Sequence, residues 1–251
     1  MEIITLASSS AGNAYIIRNS KSVILLEAGL KKPLLVTRML KHGILLSNLS
    51  GCFVTHQHGD HSITAPIVST YTTVYASKET LRAARINGNR QIINAWEEVR
   101  IDSIRGTEFS VWAFPVEHDC PGSYGFIVYD YESNERLLFI NDSKYIEYNF
   151  KDYTFSHIMI ECNHNEEILL ENADERAKRT ANAHMSLRTT LLTLSGLNLS
   201  KTKAIYLMHL SDGNSNEDLM LESVAKQTGK PVAACQKDGG VRWYGERQRL
   251  D

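Results

Sequence analysis

The 251-residue chain has four cysteines, Cys52, Cys120, Cys162 and Cys235, and no two form a Cys-x-x-Cys pair. Scattered thiols of this kind argue against a zinc ribbon or a disulfide framework and fit a reducing, cytoplasmic compartment. No apolar run approaches the roughly 18 residues a membrane-spanning helix needs, so no span is expected. The opening segment MEIITLASSS has neither a basic start nor a long apolar stretch, and no signal peptide is expected. Neither sign of charge is in excess. Lys and Arg number 27 against 29 Asp and Glu, a net charge of -2, so no global positive field draws in nucleic acid. Low-complexity linkers and fixed-period repeats are absent. What is present is ordinary globular composition: 43% hydrophobic and 22% charged residues are enough for a sizeable core. One domain spanning residues 1–251 is expected.

Short apolar runs between Gly/Ser/Asn turns predict strands over 3–7, 14–18 and 22–27. Pro33 opens a helix to about 41, with Leu34, Leu35, Met39 and Leu40 on its apolar side. A strand at 51–54 is followed by a helix near 62–70, a strand at 73–76 and a helix over 78–86. Strands follow at 109–116, 124–129 and 136–140, the last two joined by a hairpin turn at 130–135, and then at 156–161. The last third reads as helices at 166–182 and 186–195, a strand at 204–208 and a helix at 216–228. No element is assigned over 87–108 or beyond 228. Strands with interspersed helices in both halves predict sheets covered by helices.

The strongest local signal is Thr55-His56-Gln57-His58-Gly59-Asp60-His61, directly after an apolar strand. It packs four metal-ligating side chains into six residues, and imidazole with carboxylate suits zinc, and also iron or manganese. A merely histidine-rich surface loop is the bland alternative; three of the nine histidines within six positions argue against it. Two metals need further ligands. His118 follows the strand ending at Val116, Asp142 follows Leu138-Phe139-Ile140, and His209 follows Ile205-Tyr206-Leu207-Met208. One such residue is more often structural, but three in this order after His-x-His-x-Asp-His are harder to dismiss.

With these residues in place the chain resembles the metallo-β-lactamase superfamily, and within it the YycJ/WalJ-type branch related to the RNase Z group. The matching segments are LASSSAGNAYII, ILLEAGL, VTHQHGDHS, VEHDCPGSYGF, FINDSKY, MIECNHN, AHMS and LMHLSDGNSNEDL, in order from residue 6 to about 219. The resemblance implies an α+β fold, the four-layered αββα metallo-β-lactamase sandwich, with the site at one edge. It implies two divalent metal ions, zinc first, with manganese or iron as alternatives. His56, His58 and His118 would hold one ion, Asp60, His61 and His209 the other, and Asp142 would bridge them. A carboxylate between two dications offsets their repulsion, and a bridging water loses its proton near neutral pH and would attack phosphorus.

The resemblance also places His184, in Ala183-His184-Met185-Ser186, near the scissile phosphate, where it would protonate the leaving oxygen or hold the phosphate. Asp60, His184 and Glu161 are the catalytic candidates. Ser10, Asn13 and His164 are the substrate-binding ones. Glu161 and His164 either support His184 or are packing groups, and the small-donor loop of Ser10 and Asn13 either approaches an anion or is a tight turn around Gly12. Glu27 stands where the family usually has Asp, whose task is to orient a ligand histidine by a hydrogen bond. Its extra methylene predicts a different loop geometry. Cys120 is near the metals but is not counted as a ligand.

The function expected is a phosphodiesterase using a metal-bound hydroxide, with a nucleotide or nucleic-acid end as partner. A small nucleotide, cyclic forms included, is slightly favoured, because the chain is mildly acidic and lacks an extra arm or basic tail to grip a long polyanion. Its basic clusters, Lys31, Lys32, Arg38 and Lys41, and Arg82, Arg85 and Arg90, read as solvated helix faces. Alternatives are a DNA or RNA exonuclease of the YycJ/WalJ type, a thioester or lactone hydrolase, and a metal-binding module without catalysis. Self-association as a homodimer is left open.

Overall fold

The computed structural model describes residues 1–104, 106–172 and 175–246. The first half runs β1 (Glu2–Ala7), β2 (Ala14–Arg18), β3 (Val23–Leu26), α1 (Lys32–Leu40), β4 (Gly51–Phe53), α2 (Gly59–Ser62), α3 (Ala65–Val68), β5 (Val74–Ala76), α4 (Lys78–Ala83) and β6 (Arg90–Ile92). The second half runs β7 (Glu98–Ser103), β8 (Gly106–Pro115), β9 (Tyr124–Asp130), β10 (Glu135–Ile140), β11 (His157–Glu161), α5 (Glu166–Glu171), α6 (Glu175–Ala183), α7 (Leu187–Ser195), β12 (Ala204–Met208), α8 (Glu217–Thr228), β13 (Val232–Cys235) and β14 (Val241–Trp243).

Two sheets result. The first has the order β1-β2-β3-β4-β5-β6 and the second β14-β13-β12-β11-β10-β9-β8-β7. Strands β3 to β6 are mutually parallel, as are β10 to β13, and the remaining neighbours pair antiparallel. Successive side chains of a strand point to opposite faces, and here both faces are buried, so the strands read as continuous apolar runs. Ile16 and Leu25 turn outward onto Leu35 and Met39 of α1. Their neighbours Ile17 and Ile24, with Phe53, turn inward onto Phe109, Phe126 and Phe139 of the second sheet. The outer face of that sheet, Leu138, Ile158 and Ile205, packs on Leu194 of α7 and Met220 and Val224 of α8. The layers are therefore helix, sheet, sheet, helix: the expected αββα sandwich.

The helix expected at 62–70 is two four-residue helices, because Pro66 has no N–H to extend the first. That at 166–182 is α5 and α6, with residues 173–174 outside the described part. Strands β6, β7, β13 and β14 carry no assignment in the sequence reading. β6 is a three-residue exposed edge, β7 buries only Val99 and Ile101 between charged residues, and β13 is Val-Ala-Ala-Cys, poor in branched and aromatic side chains. Among the described residues no helix is long and apolar enough to cross a membrane.

Candidate metal centre and active site

Parallel strands release their chain at a common edge, and the site is built there. Glu27 follows β3, His56 to His61 follow β4, Asp142 follows β10, Glu161 ends β11 and His209 follows β12; His118 arrives from the end of β8. Glu27, Asp142 and His209 have φ of 66°, 47° and 55°, the left-handed region that non-glycine residues rarely occupy. Such residues cost about 1–3 kcal/mol each and persist only where the surroundings fix them. Glu27 N–H is tied to Phe53 O at 2.9 Å and His209 N–H to Ser8 Oγ at 2.8 Å. The turn after each strand aims its side chain at the shared edge.

The 56–61 loop is anchored from the N-terminal strands. Asn13 N–H donates to Asp60 O and Ala28 N–H to His61 O, both at 2.8 Å. A Cβ on Gly29 would lie 1.6 Å from Asp60 O, so only glycine allows this close approach.

The nitrogens and oxygens converge in two groups built on the 56–61 loop, adjoined by a third of Asp142, Glu161, His184 and His209. His56 Nε2 and His58 Nδ1 are 3.0 Å apart, and His58 Nδ1 and His118 Nε2 3.2 Å. Asp142 Oδ2 is 3.8 Å from His56 Nε2 and 3.9 Å from His118 Nε2. In the second group His61 Nε2 is 3.4 Å from Asp60 Oδ2 and 3.2 Å from Asp142 Oδ2. His209 Nε2 is 3.4 Å from Asp60 Oδ2 and 3.5 Å from Asp142 Oδ1. Ligands at about 2.0–2.1 Å around a tetrahedral ion are separated by about 3.4 Å, so both groups have the spacing of a coordination shell. Asp142 Oδ1 is buried without a hydrogen-bond donor, as an oxygen left for a cation would be. The residues therefore fit divalent metal ions, and Asp142 faces both groups.

Neighbouring residues fix which nitrogen keeps its lone pair. Thr55 gives its hydroxyl proton to Glu27 Oε1 at 2.6 Å, so at 2.9 Å His56 Nδ1–H donates to Thr55 Oγ1 and Nε2 is left bare. His118 Nδ1–H donates to Ala183 O at 2.9 Å, which again frees Nε2. Glu27 Oε1 also lies 3.4 Å from His61 Nδ1. Burial pushes the pKa of His56 and His58 down, which keeps both neutral and able to bind metal. Burial opposes charge on Asp60 and Asp142 too, yet the histidines around them hold both carboxyls below the usual range.

His184 and Glu161 complete the edge. Glu161, fully buried, accepts Ser143 N–H at 2.8 Å, Met185 N–H at 3.1 Å and His184 Nδ1–H at 2.7 Å. Burial alone would lower the His184 pKa, but Glu161 and Asp142 outweigh it and raise it to about 9. The His184 ring stacks on His209 with centroids 5.3 Å apart and planes at 9°. A pocket of about 360 Å³ opens over the cluster, lined by Ser10, Asp60, Asp142, Arg179, His184 and His209 among others.

With this geometry established, a family model described as a β-lactamase superfamily domain matches residues 24–210. The chain belongs to the β-lactamase superfamily. It is 25% identical over 236 residues to exodeoxyribonuclease YycJ of Bacillus anthracis, covering 88% of this chain and 86% of that protein. Its fold is similar to the metallo-β-lactamase fold protein YhfI of Bacillus subtilis, with a TM-score of 0.71 over 96% of this chain and 98% of that one at 12% identity. It is similar also to human tRNase Z, short form, with a TM-score of 0.60 over 84% and 93% of the two chains at 15% identity. At such identities the structural likeness is one of fold. This superfamily member is a metal-dependent hydrolase, the activity that its family and its converged ligand side chains support.

In this β-lactamase-superfamily site the sequence-derived candidates fall into three places. His56, His58, Asp60, His61, His118, Asp142 and His209 meet at the metal groups, and Ser10 and His184 line the pocket. Asn13 is fully buried; it bonds Ser9 O at 3.0 Å and Asp60 O at 3.3 Å and lies 3.1 Å from His61 Nε2, so it braces the ligand loop and does not line the pocket. His164 is also buried and away from the pocket lining, its carbonyl oxygen receiving Leu187 N–H at 2.9 Å. Cys120 brings its sulfur within 4.8 Å of the His56, His58 and His118 nitrogens. Sequence reasoning passes over Asp119 and Arg179. Asp119 Oδ1 lies 3.4 Å from His58 Nε2, and Arg179 Nε donates to Asp119 Oδ2 at 2.9 Å across the pocket rim. The available signal was Arg176-Ala177-Lys178-Arg179, a basic run on the helix leading to His184.

Proposed function

We propose that the protein is a two-metal phosphodiesterase acting on the end of a nucleic-acid strand. The observation carrying the reading is the Glu161–His184 pair: an imidazole whose Nδ1–H is held by a buried carboxylate, on a residue that lines the pocket above the metal groups. A thioester's thiolate departs without a proton and has no need of such a group, whereas a phosphodiester gives it a leaving oxygen to protonate. His56, His58 and His118 would hold one zinc ion, Asp60, His61 and His209 a second, and Asp142 would serve both. Such ions, when bound, polarise a phosphoryl oxygen and bring the ionisation of water to near neutral pH.

The protein's own side chains do the rest. Glu161 keeps the His184 Nδ1 proton engaged, so Nε2–H is the one presented to the leaving oxygen. Arg179 at the rim offers a forked cation to a flanking phosphate. The name of the Bacillus anthracis relative, an exodeoxyribonuclease, and that of human tRNase Z support a nucleic-acid substrate. A second reading, a small cyclic nucleotide, is favoured by the pocket's volume of about 360 Å³, room for about one nucleotide, and by the net charge of -2.

A substrate panel tests the proposal: zinc- or manganese-loaded protein is offered bis-p-nitrophenyl phosphate, cyclic mononucleotides, single-stranded DNA and nitrocefin. Hydrolysis of the phosphate diester and of DNA from its ends is expected. Turnover of cyclic nucleotides with inert DNA would replace the nucleic-acid reading by the second one, and turnover of nitrocefin alone would overturn the phosphodiesterase reading.

A further inference from the structure

Beside α4 a second positively charged feature lies outside the metal centre. A groove of about 310 Å³ runs between α4 and the edge strand β6 and is lined by Lys78, Leu81, Arg82, Arg85, Arg90 and Ile92, with Ile86 and Asn87. No carboxylate among the described residues lines it. Among the described residues Lys78, Arg82 and Arg85, all exposed, make no side-chain hydrogen bond or ion pair, and Arg90 bonds only the neutral Ile86 O and Asn87 Oδ1. Five other arginines are matched by carboxylates: Arg18 by Glu2, Arg38 by Asp238, Arg100 by Glu98, Arg179 by Asp119 and Arg242 by Glu217. Four unneutralised cations around one groove, on a chain of net charge -2, form a local positive field that attracts anions.

The groove's position gives that field a direction. Gly122, in the loop that carries His118, packs on the start of α4: a Cβ there would lie 2.5 Å from Ser77 Oγ and 2.9 Å from Glu79 Oε2. This contact also turns Glu79, the acidic residue of α4, toward the loop. An open trough of about 590 Å³ flanks the same loop, lined by His118, Asp119, Gly122 and Tyr124 among others. Of the two carboxylates in the trough, Glu117 and Asp119, the latter is neutralised by Arg179. From there α4 carries the cations away over about 9 Å, six residues at 1.5 Å each.

We infer that the α4–β6 groove binds the phosphate backbone of the nucleic-acid strand whose end occupies the metal site, with Lys78, Arg82, Arg85 and Arg90 as its contacts. This rests on the nucleic-acid reading of the active site. Basic residues on an edge strand also block unwanted strand pairing. That role accounts for Arg90 on β6 and leaves the three cations of α4 and its end unexplained.

The test compares the zinc-loaded wild type with a Lys78→Gln/Arg82→Gln/Arg85→Gln variant, and with Arg82→Gln alone in case the triple variant folds poorly. Turnover of bis-p-nitrophenyl phosphate reports on the metal site, and binding of a fluorescent single-stranded DNA oligonucleotide over a range of salt reports on the groove. The triple variant should keep its small-ester turnover and lose about tenfold or more in DNA affinity at low salt. Its slope of log K against log salt should be shallower by about 2, from three phosphate contacts at about 0.7 each. The single variant should lose about 0.7 in slope. Equal affinity and slope in wild type and variants overturn the groove, even where the wild type degrades DNA. DNA bound through these residues but never cleaved supports the groove and overturns the nuclease reading instead.

Discussion

Glu161 Oε1 stands 2.7 Å from His184 Nδ1, and both residues bring an atom within 4.8 Å of Asp142 and His209. The carboxylate is not free to turn away, since its other oxygen is held by the N–H groups of Ser143 and Met185. Burial disfavours the imidazolium, and the two carboxylates Glu161 and Asp142 more than restore it, raising the pKa to about 9. A proton donor is competent below its pKa and fails as pH rises through it. Glu161→Gln removes one of the two raising charges, so the alkaline limb of the kcat profile should move to lower pH. Profiles of the metal-loaded wild type and variant check this; superimposable limbs would mean that a group other than His184 sets the limb.

Arg179 is the rim cation, bonded to Asp119 and itself two-thirds exposed. A hydrogen bond to a charged group is worth about 1.5–3 kcal/mol when shielded, and solvent at this rim favours the low end. Arg179→Gln should raise KM for a nucleic-acid end roughly tenfold with kcat little changed. For bis-p-nitrophenyl phosphate, which has no flanking phosphate, KM should stay within about twofold. A fall in kcat for both substrates would assign Arg179 to the architecture of α6 and Asp119.

His61 is fully buried and touched by Asn13, Glu27, Asp60 and Asp142. His61→Ala should cost one metal equivalent by elemental analysis and abolish hydrolysis, with the circular dichroism spectrum kept. Near-normal turnover would remove His61 from the second metal group.

Much of this was legible because the ligands sit where strands end. His56, His58, Asp60 and His61 are adjacent in sequence, and His118, Asp142 and His209 each follow an apolar run; periodicity locates the strand, and polarity locates the exit. Asn13 and His164 were harder. Their residue types suit substrate contact equally well, and only the fold reveals that both are buried, Asn13 as a brace under the ligand loop. Arg179 escaped notice because a cation on an exposed helix resembles any solvated face until Asp119 is found across the rim. Edge strands β6 and β14 escaped for a related reason: segments of three exposed or half-buried residues carry too little apolar pattern.

Stability rests on the seam between the sheets. Phe53 stacks on Tyr75 at 4.7 Å and meets Phe126 edge-on at 5.8 Å, with no exposed surface. Phe53→Ala should destabilise by about 3–5 kcal/mol through lost burial and the cavity left behind. At about 2–4 °C per kcal/mol for a chain of this size, Tm falls by roughly 6–20 °C. Because β4 leads directly into the 56–61 loop, a thermal melt read alongside metal content separates loss of packing from loss of the site. An unchanged Tm would mean the two sheets repack around the gap.

His184 gives the decisive experiment on phosphodiester chemistry as opposed to metal binding alone. It adjoins Asp142 and His209 but is absent from the two groups built on the His-x-His-x-Asp-His loop, whose seven ligands stay in place, so His184→Ala should retain the full metal content. If its Nε2–H protonates the leaving oxygen, the variant loses about 10²–10⁴-fold in rate, the usual worth of general acid catalysis. The loss belongs in kcat, since the leaving oxygen gains charge only as the bond breaks. It should shrink for bis-p-nitrophenyl phosphate, whose p-nitrophenolate departs without a proton, and be full for a nucleotide leaving group. An imidazolium that only holds the phosphate would instead raise KM and penalise both substrates alike. Wild-type turnover of a natural phosphodiester by His184→Ala would leave the Glu161–His184 pair as a structural clasp between β11 and the start of α7.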